Sequence, residues 1–253
     1  IRTLGIELVD RGDVSVPVRE SVDESDAHAK YLPVIRAVCA ELADVVEAVV
    51  RGGGFPLVVG GDHSIAMGTL AGIRRGHGAQ PGLIWIDAHG DINTPLTSHS
   101  GNVHGMPLSF ALEDASVSPS RTVLIGLRDV DAGERRVIRE MGVRAFTMSD
   151  IDQLGIACVI EESLAIAGSG GVRSLHVSFD MDGIDPREAP GVGTPVRGGM
   201  TYREAHLAME LIAASGTLGS LEFTEINPIL DVQNATAILA VELILSALGQ
   251  TIL

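Results

Sequence analysis

The chain has 253 residues, 45% hydrophobic and only 3% aromatic, which suits one α/β domain over residues 1–253 with a mostly aliphatic core. Its formal charge of −15 leaves no basic stripe to neutralise phosphates, which excludes a nucleic-acid partner. Cys39 and Cys158 are isolated, no apolar stretch reaches the roughly 20 residues that cross a bilayer, and no signal-peptide pattern opens the chain. A cytoplasmic protein with no membrane partner is expected.

From Ala29 to Arg51, Leu32, Ile35, Cys39, Leu42, Val46 and Val49 recur at spacings of three and four. That is an amphipathic helix, and Gly52-Gly53-Gly54 stops it. Leu57-Val58-Val59 reads as a strand, Ile65 to Ile73 as a short helix, and Leu83-Ile84-Trp85-Ile86 as a second strand. Asn93 to Gly105 is polar, and a loop of that length in a compact domain is usually functional or disordered. Thr122 to Leu127 is strand-like, followed by the loop Arg128-Asp129-Val130-Asp131 and a helix near Glu134 to Met141. A helix over Ile156 to Ala167 precedes the apolar run Leu175 to Phe179. Thr201-Tyr202-Arg203-Glu204 is a capping box that opens a helix to Ala214. Leu218 to Phe223 is the last strand, and Asn234 stands where it can cap a final helix ending near Leu248. Short runs rich in Val, Ile and Leu read as buried parallel strands. Their alternation with helices predicts a single-domain three-layer α/β sandwich, a mostly parallel sheet with helices on both faces.

Three acidic segments follow such runs: Gly60-Gly61-Asp62-His63-Ser64, Asp87-Ala88-His89-Gly90-Asp91, and Ser178-Phe179-Asp180-Met181-Asp182-Gly183-Ile184-Asp185-Pro186. Ligands of open α/β sheets bind beyond the carboxyl ends of the strands, so one fold gathers all three at one sheet edge. Alternate residues of an extended segment point the same way, so Asp87, His89 and Asp91 can converge on one side. Asp180 and Asp182 repeat the spacing, and His63 adds a second imidazole. Four carboxylates and two imidazoles, with no thiolate, suit magnesium or manganese, while imidazole admits manganese, cobalt or zinc. Six side chains are few for two octahedral ions unless carboxylates bridge. Four negative charges match two divalent ions. Each motif alone has a plainer reading. Asp62 could be a turn residue, His63 a satisfied polar residue, and Asp-x-Asp-Gly-x-Asp-Pro a calcium loop. Their common position at strand ends argues against coincidence. Asp185, with Pro186, reads as a turn former, and His28, His77, His176 and His206 read as solvated or packed.

These three segments resemble the signatures of the ureohydrolase family. Ser100-Gly101-Asn102-Val103-His104-Gly105 and Gly126-Leu127-Arg128-Asp129-Val130-Asp131 narrow the resemblance to its arginase branch, of bacterial type. It continues through Gly191-Val192-Gly193-Thr194-Pro195-Val196 and Glu225-Ile226-Asn227-Pro228 and covers nearly the whole chain in order. The resemblance implies two manganese ions per chain. His63, Asp87, Asp91 and Asp180 would hold one, and His89, Asp87, Asp180 and Asp182 the other. It implies hydrolysis of L-arginine to L-ornithine and urea by a hydroxide bridging the ions. Glu225 would pair with the guanidinium, His104 would shuttle the proton to the leaving amino group, and Asp91 would relay the hydroxide proton. Asn93, Ser98, Ser100, Asn102, Asp131, Glu134 and Thr194 would read the α-carboxylate and α-amino group. A homotrimer or homohexamer is implied too, and a strand where Leu8 to Asp13 resembles the family's second strand region.

Three rivals remain. A ureohydrolase for agmatine or guanidinobutyrate would not need Asp131 or the Ser-Gly-Asn loop. A zinc amide hydrolase of deacetylase type would not keep six ligands. A metal-binding scaffold without activity would not keep His104 and Glu225.

Overall fold

The computed structural model describes residues 1–172 and 174–251. A two-residue hairpin, β1 Ser25–Asp26 and β2 Ala29–Lys30, precedes α1 Leu32–Arg51. Then come β3 Leu57–Val59, α2 Ala66–His77, β4 Gly82–Ile86, α3 Pro107–Glu113, β5 Thr122–Leu127 and α4 Ala132–Met141. The second half holds β6 Arg144–Thr147, α5 Met148–Leu154, α6 Ile156–Ala167, β7 Leu175–Asp180, α7 Tyr202–Ala214, β8 Leu218–Thr224 and α8 Ala235–Ala247. The six long strands form one sheet in the order β3-β8-β7-β4-β5-β6, every pair parallel.

Strand periodicity of two divides the core. Ile84, Ile86, Val123 and Ile125 point to the face covered by α5, α6, α7 and α8. Leu83, Trp85 and Leu124 point to the opposite face, against α2 and α3. Helix α1 lies on α2, with Leu42, Val46 and Val50 packed against Ile73. This is the expected sandwich, with helices on both faces.

Four details depart from the sequence reading. Strand β3 is an edge strand rather than a buried one, and Val59 is 58% exposed. Leu8 to Asp13 form no strand; Leu8 and Val9 face solvent and no neighbouring strand offers a ladder. Asn234 sits at the N-cap of α8 with a left-handed φ of 60° and makes no side-chain cap. Asp231 caps the helix instead, accepting from Thr236 N at 3.0 Å and Ala237 N at 3.3 Å. The β1–β2 hairpin, which takes Ala29 and Lys30 out of the helix read from Ala29, is an additional element, as are helices α3 and α5 and strand β6.

Candidate active site

The carboxyl ends of β3, β4, β7 and β8 carry the acidic segments to one edge of the sheet. Beyond β3, Asp62 caps the short turn His63–Ile65, accepting from Ser64 N at 3.0 Å. The turn buries His63 against Trp85, with ring centroids 4.0 Å apart. The indole also donates Nε1–H to Asp87 Oδ2 at 3.0 Å. His63 Nδ1 then stands 3.1 Å from Asp87 Oδ2, 3.2 Å from Asp91 Oδ2 and 3.0 Å from Asp180 Oδ2. His89 Nδ1 stands 3.1 Å from Asp182 Oδ2 and 3.4 Å from Asp87 Oδ1.

Two groups of donors result, each with its atoms within 4.8 Å of one another: His63, Asp87, Asp91 and Asp180, and Asp87, His89 and Asp182. Asp87 belongs to both. The Asp-x-His-x-Asp triplet therefore splits, because the chain turns at Asp91, whose φ is 48°. Asp180 falls only in the first group. Its other oxygen, Oδ1, accepts the Asp182 backbone N–H at 2.7 Å.

The cluster attracts positive charge. Burial opposes protonation of the imidazoles, but carboxylate hydrogen bonds overcome it, raising His63 well above its ordinary value and His89 to about 12. Burial, together with repulsion from Asp87, pushes Asp91 well above the carboxylate range, and burial with Asp182 and Asp87 does the same to Asp180. Asp87, despite its burial, is held below its ordinary value by His63 and His89. Four carboxylates beside two imidazoles fit a pair of divalent cations, which would supply that charge in place of protons.

Above the cluster lies a cavity of about 190 Å³. Glu225 lines one wall, with a left-handed φ of 59°. Its backbone N–H donates to Gly61 O at 2.9 Å, and its Oε1 accepts His63 N–H at 3.1 Å. Burial and the charge of Asp62 push its carboxyl up to about 7. His104, in the turn Val103–Gly105, lines another wall.

At the mouth, Asp131 caps α4, accepting from Glu134 N at 2.9 Å, while Asn93 Nδ2 donates to its other oxygen at 2.8 Å. Burial opposes the Asp131 charge, but these bonds hold its carboxyl below the ordinary value. Burial pushes Glu134 up to about 7. Ser98 and Ser100 line the same opening; their hydroxyls accept from Gly101 N at 3.0 Å and Asn102 N at 3.1 Å. Thr194 also lines it, but its proton goes to Asp182 Oδ2 at 2.9 Å. Of the residues implied to read the amino-acid end, Asn102 alone does not line the cavity.

Sequence reasoning missed the support beneath His63. His63 Nε2 lies 2.8 Å from Ser178 Oγ, which donates to Glu222 Oε1 at 2.8 Å. Thr69 Oγ1 donates to the other Glu222 oxygen. Because the Ser178 proton goes to Glu222, its oxygen accepts from His63, which places the ring proton on Nε2 and frees Nδ1. The available signal was a Ser and a Glu at core positions of apolar strands. Asp129 at the cavity rim and Arg128 were missed too. The Arg128 guanidinium donates to the carbonyls of Asp182 at 2.6 Å and Val196 at 2.7 Å, tying two site loops together. Asp185 forms the expected turn, accepting from Arg187 N and Gly198 N. His176 and His206 pack as expected, against Ser220 and Ser246.

The Arginase family model matches residues 2–249. The chain belongs to the arginase family. It is accordingly a hydrolase. The arginase of Bacillus subtilis (strain 168) is 46% identical over 262 residues, covering 99% of this chain and 87% of its own. The native structure of Bacillus caldovelox arginase at pH 5.6 superposes with a TM-score of 0.96 at 44% identity, covering 100% of this chain and 88% of that one. Entamoeba histolytica arginase in complex with L-ornithine superposes with a TM-score of 0.85 at 30% identity, over 94% and 83%.

Proposed function

We propose that this arginase-family chain hydrolyses L-arginine to L-ornithine and urea, using two manganese ions held by His63, Asp87, Asp91, Asp180, His89 and Asp182. The observation that carries the reading is a single cavity with the acidic cluster at its floor, Glu225 and His104 on its walls, and Asn93, Ser98, Ser100 and Asp131 at its mouth. The family supports the substrate, and the L-ornithine in the Entamoeba histolytica structure matches the expected product.

A guanidinium carbon is resonance-stabilised and a poor electrophile. Two cations at the floor supply the charge that makes water nucleophilic near neutral pH. Glu225 holds the substrate guanidinium by a charge-assisted pair. Asp91 accepts the proton that the attacking water gives up. His104 hands a proton to the departing amino nitrogen, so ornithine leaves as a neutral amine rather than an anion. Asp131 faces the α-ammonium, while Asn93, Ser98 and Ser100 receive the α-carboxylate. Glu134 backs Asp131, and Thr194 holds Asp182.

The domain is residues 1–253, working as a homotrimer or homohexamer in the cytoplasm. Both cysteines are free, which fits a reducing compartment, and no helix among the described residues is long and apolar enough to cross a membrane. The experiment is urea release from a panel of guanidines, with each divalent metal returned to chelated protein. Hydrolysis of arginine with manganese is expected. Equal turnover of agmatine replaces this reading with a broader guanidine hydrolase.

A further inference from the structure

The loop that carries Ser98, Ser100 and His104 has an outside support. Its own bonds are local: Ser98 N donates to Thr94 O at 2.9 Å, and Gly105 N to Asn102 O at 3.3 Å. Gly101 is gripped from two sides. Its N–H goes to Ser98 Oγ at 3.0 Å, and its carbonyl accepts the backbone N–H of Lys30, in β2, at 2.9 Å. Lys30 is opposite Ser25 in the hairpin register, yet its N–H points away from that partner and into the loop. The contact is also close. Gly101 has φ +71°, and a Cβ there would overlap the Ala27 carbonyl oxygen at the hairpin tip.

The hairpin is shaped to meet the loop. Tyr31 N donates to Glu24 O at 2.9 Å across its base, and Asp26 Oδ1 accepts His28 N at 2.8 Å across its tip. Ser25 and Tyr31 take left-handed φ values of 63° and 60° where the chain enters and leaves it. Non-glycine residues hold that conformation only where surroundings over-determine it. Ala29, next to Lys30 in β2, is 3% exposed.

We propose that the Ser25–Lys30 hairpin is a brace that positions the Ser98–Asn102 loop for the α-carboxylate of the substrate, with Lys30 N–H and Gly101 as its positioning contacts. The inference rests on the loop being the amino-acid reader, as proposed above. It adds a specificity element that touches no substrate atom. A loose Ser98–Asn102 segment weakens capture of the carboxylate end and leaves the cation cluster alone, since no cluster residue lies in the hairpin or at Gly101. His104 sits in the following turn Val103–Gly105, held separately by Asn93 N donating to Gly105 O at 3.1 Å.

The test compares Lys30→Pro, which removes the N–H, with Lys30→Ala, which keeps it; both remove the Lys30–Glu24 ion pair at 3.6 Å. Gly101→Ala attacks the same contact from the loop side. Urea release is measured with arginine and with agmatine, which lacks the carboxylate, alongside manganese content and amide exchange at Ser98–Asn102. Lys30→Pro and Gly101→Ala should raise the arginine KM by about 10- to 100-fold, the scale of a small misplacement of a binding group. Agmatine kcat/KM, manganese content and arginine kcat should hold within about twofold, less than the effect of any lost catalytic group. Exchange at Gly101 and Asn102 should quicken, and Lys30→Ala should match the wild type. An unchanged arginine KM in Lys30→Pro overturns the brace, as does an equal loss for agmatine. If wild-type protein does not hydrolyse arginine, the proposed activity has failed. Loop exchange then decides the brace alone, and unchanged protection in Lys30→Pro rejects it.

Discussion

His63 must present one ring nitrogen to a carboxylate cluster while the other is kept from wandering. The Ser178–Glu222–Thr69 chain does this from inside the sheet, and the Trp85 ring closes off the remaining side. Partners that orient a metal-binding histidine typically change affinity by about 10- to 100-fold when removed. Ser178→Ala should therefore weaken manganese binding by about that factor, read by titration of metal into chelated protein; unchanged affinity would show that stacking on Trp85 suffices. His104 presents the opposite case. It lines the cavity but belongs to neither donor group. His104→Asn should lower turnover by roughly 10²–10⁴-fold, the range for a lost general acid, with metal content unchanged. Loss of metal in this variant would contradict the role.

At the scale of elements, α1 and α2 meet along Gly68, Gly72 and Gly76, one glycine per turn of α2. A Cβ at Gly68 would lie 2.5 Å from Cys39 O, and one at Gly72 would lie 2.6 Å from Ala43 O. Because these neighbours are backbone, they cannot rotate away. Ala in place of Gly gains about 1 kcal/mol of helix propensity. Overpacking costs about 1–3 kcal/mol, and here the cost should win. Gly72→Ala should lower the urea midpoint without changing the slope, and should weaken metal binding, since α2 carries Thr69 under Glu222. Greater stability would show that the helices can separate freely. This ridge was not read from the sequence, because the apolar periodicity that located α1 is blind to residues defined by having no side chain. Long periodic elements such as α6 and α7 were legible to the residue. Strand β6 was not: it has four residues, and of these only Phe146 is buried. Helix α5 had a signal, the capping box Thr147 to Asp150. The acidic strand ends were legible because carboxylates cluster there at short spacings. The Lys30–Gly101 contact was hidden, since it joins two backbones and depends on no particular side chain.

At the scale of the whole molecule, four strand ends concentrate acids that attract either protons or cations. His89 is held up to about 12 and His63 well above its ordinary value by the surrounding carboxylates, so both rings carry protons at neutral pH when no cation competes. Cation binding must expel them. Apparent manganese affinity should therefore rise with pH through neutrality, and binding should release protons, seen as heats that differ between buffers of different ionisation enthalpy. Affinity that is flat from pH 6 to 9 would mean that the rings are already neutral. Activity should rise over the same window, as metal and a deprotonated nucleophile become available together.

The same gathering of elements decides substrate choice, because the floor reads the guanidinium and the mouth reads the other end of the molecule. Agmatine keeps the guanidinium and the amine of arginine but lacks the carboxylate, so, against the expectation from the sequence, Asp131 has a partner in agmatine too. Guanidinovalerate, which is arginine without its α-amine, keeps the carboxylate at the same distance from the guanidinium. A site built to hydrogen-bond a substrate group leaves its own polar groups unpaired when that group is missing, and such losses reach about 10⁴–10⁵-fold in enclosed sites. Ser100 is exposed and Ser98 half-buried, so water can replace the carboxylate and the factor should fall below that limit. Wild-type kcat/KM should favour arginine over both analogues. Ser100→Ala should hurt arginine and guanidinovalerate while leaving agmatine nearly unchanged. Asp131→Asn, which keeps a side chain able to cap α4, should hurt arginine and agmatine while leaving guanidinovalerate nearly unchanged. The two variants thus separate the carboxylate reader from the amine reader in one kinetic matrix. If both depress all three substrates equally, the mouth residues shape the cavity without reading either group, and arginine specificity must come from the floor.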